Sequence, residues 1–133
     1  MSRSGYYDCG DIDQWDLIRW RGAVASATRG ARGQKLLKEL LQALDAMPVK
    51  ELIADEFVSA SGEVCALGAL AKKKNIDVSN VDPDDPEQVA RAFGIAEALA
   101  REIEFMNDEG GDIEIEAHRW ARMREWVAKQ ILP

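Results

Sequence analysis

The chain has 133 residues, 47% of them hydrophobic and 31% charged, with a net charge of −7. That length suits one domain with a real core, no apolar run approaches the roughly 20 residues of a membrane span, and the acidic balance argues against direct duplex DNA binding. Two cysteines, Cys9 and Cys65, make no disulfide framework, and Met1–Asp13 lacks an apolar signal segment, so the expected compartment is the cytoplasm.

In chain order, residues 1–13 read as a loose N-terminal arm, and residues 14–133 as one α-helical domain. Gln14 to Thr28 reads as a first helix with Asp13 as N-cap. Its helical repeats are Leu17, Trp20 or Arg21, and Val24, and also Trp20, Ala23 and Ala27, with Trp15 and Trp20 expected in the core and Gly22 against a neighbour. Arg29-Gly30-Ala31-Arg32-Gly33 breaks it. A second helix, Gln34 to Met47, carries the clearest stripe: Leu36, Leu37, Leu40, Leu41, Leu44 and Met47, ended by Pro48.

Leu52 to Val58 fits either a short helix or one arm of a small hairpin turning at Ser59 to Gly62. The stretch Gly62 to Ala71 then reads as a central helix. Val64, Leu67, Leu70 and Ala71 form an apolar stripe, and Cys65, Gly68 and Ala69 a face small enough for close backbone approach. Lys72, Lys73 and Lys74 suit the negative end of its dipole, and Asn75 suits a C-terminal stop. Asp85-Pro86-Glu87 is a helix-start signal, with Gly94 after Phe93 placed to bend or break the helix. Ile95 to Met106 reads as a further helix, Asn107 to Asp112 as an acidic turn, and Glu114 to Ile131 as the last helix. That helix turns Trp120, Met123, Val127 and Ile131 inward and Arg119, Arg122 and Lys129 outward. The fold class is mainly α: a single-domain bundle of five or six helices, with room for one small β-hairpin near residues 52–64.

Few residues look chemical. His118 is the only histidine, which argues against a histidine-based zinc site, and its position at the start of an amphipathic helix suggests exposure. Asn107, Asp108, Glu109 and Asp112 do not match the spacing of a calcium-binding loop. No cofactor or metal is expected. Cys65, read in the first turn of its helix, is either a buried inert thiol or one whose pKa the dipole lowers, with a Cys65–His118 pair left open. Arg19, Arg21, Arg29 and Arg32, with Lys35 and the nearby tryptophans, form the one candidate basic strip.

Residues 51–113 carry five Lys/Arg against fifteen Asp/Glu, so the middle of the chain alone contributes −10. These carboxylates either solvate a face or meet a cationic partner, and the candidate partner-facing set is Asp82, Asp84, Asp85, Glu87, Glu102, Asp108 and Glu109.

Several segments together resemble a family of small proteins encoded by temperate phages and prophages of Gram-negative bacteria. They are Trp15-Asp16-Leu17-Ile18-Arg19-Trp20-Arg21-Gly22-Ala23-Val24, Cys65-Ala66-Leu67-Gly68-Ala69-Leu70, Phe93-Gly94-Ile95-Ala96, Met106-Asn107-Asp108-Glu109 and Trp120 to Val127. The Cys-Ala-Leu-Gly-Ala-Leu core is also similar to a wider domain of unknown function. The resemblance carries no catalytic residues. It implies a small phage accessory protein acting in a bacterial cell, of a kind that counters host defences by binding them.

Three functional classes follow. The first is a non-enzymatic binding protein that inhibits a host defence or nucleic-acid-handling protein, such as a CRISPR effector. The second is a binder of a small ligand or nucleotide signal, using Arg19, Arg21 and aromatic residues. The third is a thiol-dependent enzyme using Cys65.

Overall fold

The computed structural model describes residues 14–133, leaving aside the side chains of Gln14 and Asp112; the arm read over residues 1–13 lies outside the described residues. Six α-helices follow one another among them: α1 (Gln14–Arg29), α2 (Ala31–Ala46), α3 (Ala66–Lys74), α4 (Pro86–Phe93), α5 (Glu97–Asp108) and α6 (Glu116–Gln130). α2 packs against α6 and α3, while α5 packs against α1 and α4 and touches α3 and α6. No helix among the described residues is long and apolar enough to cross a membrane.

The leucine stripe makes α2 the wall of the core. Leu36, Leu37, Leu40 and Leu44 are buried, with Leu41 and Met47 packed at the edge. α2 begins at Ala31, earlier than its stripe suggests, because a single residue, Gly30, separates it from α1. The corner needs Gly33: a Cβ there would stand 2.0 Å from the carbonyl oxygen of Ala27. The far end of α2 has its carbonyls satisfied from outside. Trp120 Nε1 donates to the Leu44 carbonyl at 3.0 Å, and Lys50 Nζ donates to those of Asp45 and Met47.

Residues Val64 to Ala71 are buried without interruption, so the small-residue helix is interior as its composition suggests. Cys65, however, stands before the first turn of α3 as its N-cap, its sulfur accepting from the Gly68 N–H at 3.4 Å. Asn75 closes α3 in the left-handed conformation, after Lys72, Lys73 and Lys74 in the last turn. At the start of α4 the Asp85 side chain accepts from the N–H groups of Glu87 and Gln88, and Pro86 occupies the first turn.

The hairpin allowed for residues 52–64 does not form, and no strand occurs among the described residues. The chain crosses itself there at one antiparallel bridge, Val58 with Val64. The ladder stops after that rung because Cys65 already turns into α3 and Asp55, at a φ of 70°, bends the other arm away. Other expectations also shift. Gly22 faces open space rather than a neighbour, Trp15 is exposed, and Trp20 is half-buried beneath the Arg101 guanidinium. α1 spends its inward positions on Val24, Ala27 and Thr28, residues small enough to let it lie against α5 and α2.

Gly68 is as tightly enclosed as Gly33. A Cβ at Gly68 would meet the Phe57 carbonyl oxygen at 2.0 Å, a backbone atom that cannot step aside. Gly68→Ala is expected to cost about 3 kcal/mol, at the upper end of overpacking penalties. Gly22→Ala, in the open interior of α1, should gain roughly 0.5–1 kcal/mol from helix propensity. Urea denaturation of the two variants measures both signs.

Candidate interaction surface

The last turn of α5 contains no basic residue, so nothing on its own helix complements its terminal carbonyls. α6 supplies the missing cations. Arg119 Nε donates to the Asn107 carbonyl at 2.8 Å, and a second nitrogen of Arg119 donates to the Gly111 carbonyl. Arg122 donates to the carbonyls of Met106 and Asn107. Both arginines also converge on one carboxylate. Arg122 binds Glu114 in a two-pronged pair at 2.8 Å for each prong, Arg119 lies 3.1 Å from Glu114 Oε1, and His118 Nδ1 lies 2.8 Å from Oε2. Arg119 was expected to face water with Arg122 and Lys129. It is instead 3% exposed, its guanidinium bound to the Asn107 and Gly111 carbonyls and to Glu114.

The Asn107 side chain completes this knot. Its Oδ1 accepts from the Ala66 N–H at the start of α3 (3.0 Å), and its Nδ2 donates to the Ile53 carbonyl (2.9 Å) and to Asp108 Oδ1 (2.9 Å). Asn107 and Asp108 thus close α5 instead of opening an acidic turn. The Glu114 side chain, 7% exposed, has its pKa pulled down from 4.5 to about 2, first by the Arg122 hydrogen bonds and then by His118 and the neighbouring guanidinium charges.

Pinning Glu114 inward has an outward consequence. The backbone at Glu114 and Ile115 is extended, so successive side chains alternate in direction. Ile113 is 96% exposed and Ile115 75% exposed, two bulky aliphatic side chains in water on either side of the inward-bound Glu114. Beside them sits unneutralised negative charge. The Leu52 N–H donates to the Glu116 carbonyl at 3.1 Å, bringing Glu51 next to the start of α6. Glu116 titrates above its ordinary value of 4.5 because it is partly desolvated and because Glu63 and then Glu51 crowd it with hydrogen bonding and like charge. No periodicity in the sequence singles out Ile113, Ile115, Glu51, Glu63 or Glu116. The alternation Glu-Ile-Glu over 114–116 was the available signal, and it reads equally well as the start of the last helix.

The structure divides the acidic set read from the sequence. Asp82, Asp84 and Glu87 are exposed at the approach to α4, Asp85 is committed to capping, and Glu87 pairs with Arg91 at 3.0 Å. Glu109 is exposed and 3.8 Å from Arg122. Glu102 is 7% exposed and bound to Arg21 at 2.9 Å, tying α5 to α1. Asp108 is half-buried and accepts from the Asp55 N–H at 3.1 Å.

The basic strip is likewise dispersed. Arg19 pairs with Asp16 and Arg21 with Glu102, while Arg29 and Arg32 sit exposed at the α1–α2 corner. Cys65 and His118 are not brought together, since the thiol is buried at the cap of α3 and the imidazole lies on the surface against Glu114. Among the described residues, no group of three or more His, Cys, Asp or Glu side chains is placed to hold a metal ion. No family model matches the chain, and no curated protein or solved structure shows significant similarity to it.

A carboxyl whose folded pKa lies below its unfolded value stabilises the fold above that unfolded value, and the contribution is lost as pH falls through the folded one. For Glu114 the window runs from 4.5 down to about 2. Glu114→Gln leaves two arginines without their carboxylate and is expected to cost about 3 kcal/mol at pH 7. Urea denaturation against pH should show that gap narrowing below pH 4.5 and closing near pH 2.

Proposed function

We propose that this is a non-enzymatic binding protein that inhibits a basic, nucleic-acid-handling protein of a bacterial host, with the α5–α6 corner as its contact surface. The observation that carries the reading is the exposure of Ile113 and Ile115 on a backbone held by Glu114, beside the clustered carboxylates of Glu51, Glu63 and Glu116. An apolar centre beside one sign of charge is the anatomy of an interface whose anchors enter a pocket while its rim steers approach. Two isoleucines in water gain nothing from the fold, and a backbone anchored through Glu114 lowers the entropy lost when they dock.

The negative rim selects a cationic surface, and a protein that handles nucleic acid presents one. The exposed carboxylates Asp82, Asp84, Glu87 and Glu109 add to the same long-range field. The resemblance to phage and prophage proteins supports a host protein, and a defence effector in particular, acting in the bacterial cytoplasm.

The test is affinity capture from a Gram-negative lysate with the tagged full chain, followed by binding kinetics on the captured protein. Ile113→Ser with Ile115→Ser should leave stability within about 0.5 kcal/mol, since both side chains are already in water, and weaken binding roughly 30-fold. Glu51→Gln with Glu63→Gln and Glu116→Gln should slow association roughly tenfold and flatten its dependence on salt. A captured protein that is not basic, that DNA does not compete away, or that binds both variants like the wild type would contradict the proposal.

A further inference from the structure

The Val58–Val64 bridge has two sides, and they are treated differently. Its hydrogen bonds run from the Cys65 N–H to the Phe57 carbonyl (3.1 Å) and from the Ser59 N–H to the Glu63 carbonyl (2.8 Å). In that pattern the N–H and C=O of the two bridged residues point away from the pair. On the Val64 side the outward carbonyl is taken by the Ile53 N–H at 3.0 Å. On the Val58 side neither the N–H nor the C=O has a partner among the described residues.

Val58 is one wall of a groove of about 530 Å³. Phe57, Val58, Ile76 and Val78 give it apolar lining, and Glu56 and Asp77 stand on its two sides. Among the described residues, no lysine, arginine or histidine lines it. Asp77 is fixed as a carboxylate, since the Ser79 hydroxyl (2.6 Å) and N–H (2.9 Å) both donate to its Oδ1. Of the three lysines that precede Ile76, Lys72 reaches the Gly62 carbonyl, Lys74 pairs with Glu39, and Lys73 is exposed without lining the groove.

We propose that this groove binds a short extended segment of another polypeptide as an added strand along Val58, the segment carrying an apolar residue flanked by lysine or arginine. The backbone edge at Val58 supplies one donor and one acceptor at strand spacing. The apolar lining takes the side chain that points inward, and the acidic walls take the flanking cations. Charge fixes the choice of occupant: an acidic or uncharged segment would gain the same backbone bonds and lose the pairing with Glu56 and Asp77. This surface is distinct from the isoleucine pair and does not rest on the proposal made for it.

The probe is the acetylated, amidated peptide Gly-Lys-Val-Lys-Val-Lys-Gly, titrated into the nitrogen-15-labelled full chain and followed by NMR. Shifts should be confined to residues 56–59 and 76–79, with the Val58 amide moving downfield and exchanging more slowly with solvent. The same peptide with glutamate for each lysine should give no shift. Glu56→Gln with Asp77→Asn should weaken binding by about fivefold, as expected for two partly exposed charges, and Ile113→Ser with Ile115→Ser should leave it unchanged. The inference is overturned if no shift appears, if the shifts centre on residues 113–116, if the glutamate peptide binds equally, or if the Val58 amide exchanges as in the free protein.

Discussion

The side chain of Asn107 bonds the loop at Ile53 and the start of α3 to the end of α5, reinforcing the direct bond from the Ile53 N–H to the Val64 carbonyl. Its carbonyl oxygen takes the Ala66 N–H, one of the first-turn donors of α3 that no helical carbonyl can reach, and its amide nitrogen holds the loop at Ile53. Its backbone carbonyl, at the end of α5, receives both arginines of α6. Each of these bonds is worth only about 1 kcal/mol net, but those to the Ala66 N–H and from Arg119 are buried and the other two partly so, and leaving a buried donor or acceptor unmade costs about 1–3 kcal/mol. The constraint is therefore one of completeness. Asn107 is 1% exposed and tolerable there only while all its partners are in place.

That constraint reaches the surface through Glu114. Because α5 ends without a cation of its own, α6 brings Arg119 and Arg122 across, and a buried guanidinium beside a partly buried one needs a carboxylate. Glu114 answers that need and fixes the backbone on both sides of itself, so Ile113 and Ile115 stand outward. On this account the proposed contact surface is the outer face of a helix-capping device. What anchors it is the set of ion pairs to Glu114 beneath it rather than apolar packing of the isoleucines themselves.

Periodicity and end signals made much of the fold legible. The leucines of α2, the Asp85-Pro86 start of α4 and the Lys72–Lys74 and Asn75 end of α3 all lie where local chemistry places them, because each depends on neighbours in sequence. Residues whose role depends on distant partners were not legible. Arg119 sits among polar residues on a helix whose apolar face is narrow, and nothing local shows that the carbonyls of Asn107 and Gly111 will receive it. Glu102 has the same history: its burial follows from Arg21, 81 positions away. Trp15 misleads in the other direction, since size and hydrophobicity argue for a core position while the inward face of α1 at Val24 and Ala27 admits only smaller groups. The acidic excess was visible as a count, but which carboxylates remain free for a partner is decided by pairing, and pairing is tertiary.

Native-state hydrogen exchange on the wild type and Asn107→Ala tests the role of Asn107 most directly. The amides of Leu52, Ile53, Cys65 and Ala66 lie in segments that its side chain holds together. Loss of two buried bonds with their partners left unsatisfied corresponds to about 3 kcal/mol, so these amides should lose roughly a hundredfold in protection together, and more than the amides in the middle of α2. If only the Ala66 amide loses protection while Leu52, Ile53 and Cys65 exchange as in the wild type, Asn107 is a local cap and the rest of the structure does not depend on it.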